Sequence, residues 1–315
     1  VSDESTTPDL KRMSIADFEA AVGEPVSQFV AQRFSQCAFA YHEISPAETQ
    51  KLIIRIIDAL LDPTLDKSGE HRRDRWEQGW GENLDALNRS PGDSDAIIPR
   101  YFDKYAAVRW CGRFLRPESE RFEYNSLACL VDWLADQYLR GCPAIYEFGC
   151  GTGHHLLRVR DVNPTARLYG LDWADASVKI LERIRQTGGD AQVHGRRFDY
   201  FYPDYSLRLE RDAVIYTVAS LEQVGTRWDK FVQYLIDNRP KLCVHIEPIA
   251  ELLNPDVLLD NLSIRYFAKR NYLGGFLTGL REREANGLLK IHRAQRTHIG
   301  SLFIEGYSVV VWSPT

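Results

Sequence analysis

The stretch AIYEFGCGTGHHLLRV, residues 144 to 159, constrains the fold of this chain more than any other. A short apolar run ending at Phe148 leads into Gly149, Gly151 and Gly153, and helical spacing begins at His154. Strand, glycine turn and helix in that order open a βαβ unit. Glycine in such a turn tolerates positive φ and lets backbone approach a ligand without a Cβ in the way. Ligands of open parallel sheets lie at the strand carboxyl ends where the winding reverses, so the loop predicts a nucleotide-like guest. The spacing is GxGxG, and His154 stands where a dinucleotide fingerprint needs its third glycine. Glu147, two residues before the first glycine, would repel a diphosphate but accept hydrogen bonds from an ammonium-bearing ligand. These features argue against a dinucleotide.

From residue 143 onward, strand-like segments (AIYEF, RLYGLDW, QVHGRRFDY, AVIYTVA, LCVHIEP) alternate with helical patterns, which implies right-handed crossovers and a parallel sheet covered on both faces. One of those helices, ADASVKILERIRQTGG, closes on a glycine pair. The last two strands, LKIHRAQR and YSVVVW, follow one another without a helix and should pair antiparallel at one edge. Residues 1–140 read as a helical segment with a loop-rich, tryptophan-bearing middle, and 141–315 as an α/β, doubly wound domain. PAETQKLIIRIIDALLD carries the clearest one-sided helical pattern of the first part.

YEFGCGTG resembles the first motif of the class I S-adenosylmethionine-dependent methyltransferases, an acid followed by GxGxG. The resemblance implies a Rossmann-like sheet of seven strands with the last antiparallel, and S-adenosylmethionine as cofactor, leaving S-adenosylhomocysteine. It also implies that Glu147, Gly149, Cys150, Gly151 and Gly153 line the cofactor site, the acid serving the amino-acid end. Asp172, 19 residues beyond Gly153, matches the acid that chelates the ribose hydroxyls, and Trp173 beside it could pack on adenine. Asp172 is also placed to cap the helix that follows. Asp199, with Phe198 next to it, matches the position that accepts from the adenine amino group.

Methyl transfer is an in-line displacement that needs alignment, and an oxygen nucleophile needs a base. Candidates follow the fourth and fifth strands: Ser220 at the cofactor, Glu222 and Gln223 beside it or the acceptor, and His245 with Glu247 on one side of their strand at a spacing of two. If that side faces the cleft, one is the base and the other orients it; otherwise the histidine is a buried one with its hydrogen bonds satisfied. A lone HxE is poor evidence for Mg²⁺, and no metal site is assigned. His154 and His155 read as first-turn residues, solvated rather than catalytic and cofactor-adjacent at most. Downstream, Arg265, Tyr266, Arg270 and Tyr272, on a helix interrupted by Gly274 and Gly275, suit a polar or anionic acceptor, as does Tyr101 from the first part.

A weaker similarity, carried by IPRYFDKY, VASLEQVG, HIEPIAELL, RNYLGGFLTGL and EGYSVVVW, is to sugar O-methyltransferases of polysaccharide or natural-product pathways, which implies a sugar, glycan or metabolite hydroxyl as acceptor. N- or C-methylation, an NAD-dependent oxidoreductase or epimerase, and a non-catalytic partner subunit are the rival readings. A net charge of −5 argues against a nucleic-acid surface. No apolar run is long enough to span a membrane. Six cysteines without a CxxC pair suggest a reduced, cytoplasmic protein, and a homodimer is compatible with this composition.

Overall fold

The computed structural model describes residues 9–187 and 190–315. Four short strands come first: β1 (Leu10–Arg12), β2 (Ala40–Glu43), β3 (Val108–Trp110) and β4 (Arg113–Pro117). Then follow β5 (Ala144–Phe148), β6 (Arg167–Asp172), β7 (Val193–Arg197), β8 (Val214–Val218) and β9 (Leu242–Glu247). The chain ends with β10 (Leu289–Arg296), β11 (Ile299–Ser301) and β12 (Ser308–Pro314).

Seven strands form one sheet in the order β10-β12-β9-β8-β5-β6-β7. The strands β5 to β9 are mutually parallel, and β12 runs antiparallel between β9 and β10. This is the expected α/β, Rossmann-like sheet with its reversed last strand. Every residue of β5 and β8 is buried, as covering both faces of a parallel sheet demands. Alternation sorts them: Ala144, Tyr146 and Phe148 pack with Phe231 and Trp312, while Ile145 packs with Leu156, Leu168 and Val244 on the opposite face. The strand order reverses direction at β5, so its carboxyl end is the crevice.

Three expectations are corrected. The first 140 residues are not simply helical: β1 to β4 join β11 in a second, antiparallel sheet of order β1-β2-β4-β3-β11. Strands of three to five residues are too short to display a period. The supposed loop-rich middle contains a 17-residue helix, Arg73–Arg89, disguised by Gly79 and Gly81 and betrayed only by Trp80, Asn83 and Leu87 on its buried face. Between β7 and β8 the chain crosses in turns without a helix, fastened by Asp199 and Asp204 carboxylates accepting from the Phe201 and Ser206 amides.

One hydrophobic cluster joins Trp80, Leu127 and Leu130 to Ile145 and Leu156, so the core runs without a break across residue 140. Helix Pro46–Leu61 starts at a capping box between Ser45 and Glu48 and buries Ile56, but leaves Ile54, Ile57 and Leu61 exposed. The glycine pair at 188–189 lies outside the described residues. All six cysteines are free.

Candidate active site

A cavity of about 540 Å³, within the size range of small-molecule sites, opens at the carboxyl ends of β5, β6 and β8. The three loop glycines all have positive φ, at 69°, 55° and 76°. A Cβ on Gly149 would lie 2.4 Å from Ser220 Cβ, and one on Gly151 would lie 2.9 Å from the Trp80 ring. Both glycines and Cys150 line the cavity. Gly153 instead faces the core, where a Cβ would meet Leu181 at 2.4 Å, and serves the packing of helix Asp175–Gln186.

Asp172 at the end of β6 also lines the cavity, accepting from the Gly151 and Ala174 amides at 2.9 Å each. Burial pushes its carboxyl up to about 6 against those amide bonds. Beyond those amides and the nearby Ser177 side chain, the carboxylate keeps acceptor capacity for a hydroxyl donor. Trp173 and Phe198 border the same space. Asp199 does not: it is ion-paired with Arg73, whose guanidinium also stacks 5.3 Å from the Trp173 ring centroid.

Glu147 is likewise out of the cavity. It is 1% exposed, with Oε1 3.0 Å from His155 Nδ1 and Oε2 accepting from the Tyr216 hydroxyl at 2.9 Å. Full burial, opposed only by Tyr216, raises its carboxyl well above the usual range. The acid at the strand end thus orients a histidine. His154 and His155, expected to be solvated, are 5% and 4% exposed and line the cavity. Burial, reinforced for each by the charge of Arg158, keeps both imidazoles neutral.

After β8, Ser220, Glu222 and Gln223 line the cavity. Glu222 has its carboxyl pushed up to about 8, by burial first and the Glu247 charge second, with Arg270 opposing. The expectation that His245 and Glu247 face the cleft is corrected. His245 is fully buried, accepting from Trp312 Nε1 at 3.0 Å through Nε2 and lying 2.9 Å from Thr217 Oγ1 through Nδ1. With Nε2 accepting, Nδ1 carries the proton, and burial lowers the pKa to about 3. Glu247 accepts from the amides of Ser220, Leu221 and Glu222 at 3.1, 3.0 and 3.2 Å, which shapes the loop carrying Glu222. Replacing His245 by Leu is expected to strand the Trp312 N–H and cost about 1–3 kcal/mol in urea unfolding while leaving ligand affinity unchanged.

Tyr101, Tyr266, Arg270 and Tyr272 line the cavity, whereas Arg265 is exposed, its Nε donating to Asn261 on its own helix. Sequence reasoning missed Asp66, Arg72, Trp76 and Trp80, all cavity-lining, the last three from the stretch read as loop-rich. Trp76 and Trp80 stack at 5.2 Å, with Tyr101 edge-on to both. Their spacing of four on one helix face was the signal available.

Comparison with protein-family models gave no match, and neither did comparison with curated sequences. Among solved structures, the chain is similar to one provisionally described as an O-methyltransferase from Nostoc punctiforme, at 15% identity and a TM-score of 0.46, covering 91% of this chain and 73% of that one. It is also similar to the N-methyltransferase NodS of Bradyrhizobium japonicum bound to S-adenosylhomocysteine (10%, TM-score 0.46, 74% and 98%). A third is an O-methyltransferase of neocarzinostatin biosynthesis bound to S-adenosylmethionine and a naphthoic acid (15%, TM-score 0.41, 61% and 57%). At these identities and scores the resemblances are distant.

Proposed function

We propose that this protein is an S-adenosylmethionine-dependent methyltransferase acting on a hydroxyl of a sugar, glycan or glycosylated metabolite. The observation that carries the reading is that the glycine loop, Asp172 and Glu222 open onto one cavity. The residues present fit such a donor at its nucleoside end: backbone without Cβ at Gly149 and Gly151, a carboxylate with spare acceptor capacity, and the Trp173 and Phe198 rings. At the amino-acid end the fit runs through His155 and Ser220, since Glu147 is committed beneath them.

The donor, when bound, supplies an electrophilic methyl group on a sulfonium. The chain's own task is to hold the acceptor oxygen in line and take its proton. Glu222 is the base, ionised by loss of its proton as pH rises through about 8 and set in place by the Glu247-shaped loop. Gln223, donating to Glu222 at 2.9 Å, orients that carboxyl. The test is transfer of radiolabelled methyl from S-adenosylmethionine to a panel of sugars, uronic acids and sugar phosphates, with amino sugars and carbon-nucleophile phenols included. Label in O-methyl product supports the reading; label only in amine or carbon acceptors replaces the O-methyl assignment.

A further inference from the structure

We propose that Arg72 and Arg270 form an anion subsite for the methyl acceptor, so that the acceptor carries a carboxylate or phosphate; this rests on the donor reading above. The two arginines reach the cavity from segments almost 200 residues apart and meet beyond the β8 loop. Arg72, 8% exposed, donates through Nη1 to Gln223 Oε1 at 2.7 Å, and Gln223 donates in turn to Glu222. The subsite is therefore bonded to the acceptor side of the reacting centre.

Its charge is unbalanced. Asp66 carries the carboxylate between the arginines, but shares it with Arg72 at 3.1 Å and Arg75 at 2.9 Å. Arg270 donates to the Asp66 backbone carbonyl and is hydrogen-bonded with the Tyr272 side chain, while its Nε is buried without a hydrogen-bond partner. Burial first, and the nearby charge of Arg270 second, depress the proton affinity of Arg72. Lys104 also lines the cavity, and against these cations stand Asp62, Asp66, Glu123 and Glu222, the last two with their carboxyls pushed up to about 7 and about 8, chiefly by burial. Asp172 lies at the donor end.

The guanidinium planes are set by aromatic rings: Arg72 lies 5.2 Å from the Trp76 centroid and Arg270 5.3 Å from that of Tyr272. A planar fork held in this way, with an unpaired N–H, is suited to a carboxylate or phosphate oxygen pair. A neutral acceptor would leave the two like charges facing each other and the Arg270 N–H unsatisfied.

The test is calorimetric titration of the full chain, first with S-adenosylhomocysteine and then, on the saturated protein, with inorganic phosphate and with glucuronate, glucose serving as the neutral control. Phosphate and glucuronate should bind and glucose should not. Arg270→Gln and Arg72→Gln should each weaken the anions about tenfold or more, the size of one charge-assisted hydrogen bond, while changing S-adenosylhomocysteine affinity less than twofold. The subsite is overturned if neither anion binds the saturated wild type, or if both variants bind as wild type does. It is also overturned if the variants lose S-adenosylhomocysteine itself, which would assign the arginines to the donor's own carboxylate. Failure of the donor reading shows separately, in the first titration. Should one variant misfold, the other variant and the wild-type anion titration still decide.

Discussion

Replacing Gly151 by valine is expected to abolish measurable affinity for S-adenosylmethionine and S-adenosylhomocysteine, a loss of about 100-fold or more, equal to about 2.7 kcal/mol. Two effects combine. A β-branched residue at φ 55° is strained in the left-handed region. Its side chain would also enter a gap where a lone Cβ already lies 2.9 Å from the Trp80 ring. The strain falls within the loop between β5 and the following helix, so the sheet should remain folded. Gly79→Ala is the matched control: no atom lies within 4 Å of its would-be Cβ, so the exchange should raise stability by up to about 1 kcal/mol and leave affinity alone. Circular dichroism and calorimetry on the three proteins check both outcomes. A valine variant with wild-type affinity would remove the loop from the site.

Replacing Glu222 by glutamine is expected to slow methyl transfer to the panel's best acceptor by about 10²–10⁴-fold, the range of a lost general base, with donor affinity within twofold. The pH dependence has a definite sign. Because the carboxyl is raised to about 8, the proton-accepting form is the minority at pH 7, so the wild-type rate should climb with pH and level off above about 8. In the glutamine variant that ascending limb should vanish. A retained limb near 8, or a wild-type rate, would move the base elsewhere, and the cavity-lining His155, paired with Glu147, is where it would be sought.

Much of this molecule could be read from residue order. The parallel sheet was legible because AIYEF, AVIYTVA and LCVHIEP are short, mostly apolar runs bounded by turn residues. The glycine-loop side of the cavity was legible because the residues that line it sit at strand ends, where topology decides position: Gly149 after β5, Asp172 at the end of β6, Ser220 after β8. Orientation was harder. A spacing of two puts His245 and Glu247 on one side of β9, but not on the side that opens to ligand; His245 turns to Trp312 of neighbouring β12, a contact visible only once the strand order is known. Glu147 obeyed the motif's position and departed from its expected contact, since the side chains able to claim it, Tyr216 and His155, come from β8 and from the helix after the loop. The acceptor side was least legible. Arg72, Trp76 and Trp80 lie in a stretch whose glycines and charges imitate a loop, and only folding carries them across the β5 crevice.

The most direct measurement is calorimetric titration of the wild-type chain with S-adenosylhomocysteine and, separately, with NAD⁺. The account predicts one saturable site for S-adenosylhomocysteine and no heat of binding from NAD⁺. Absence of binding by S-adenosylhomocysteine, or saturation by NAD⁺ instead, would contradict it.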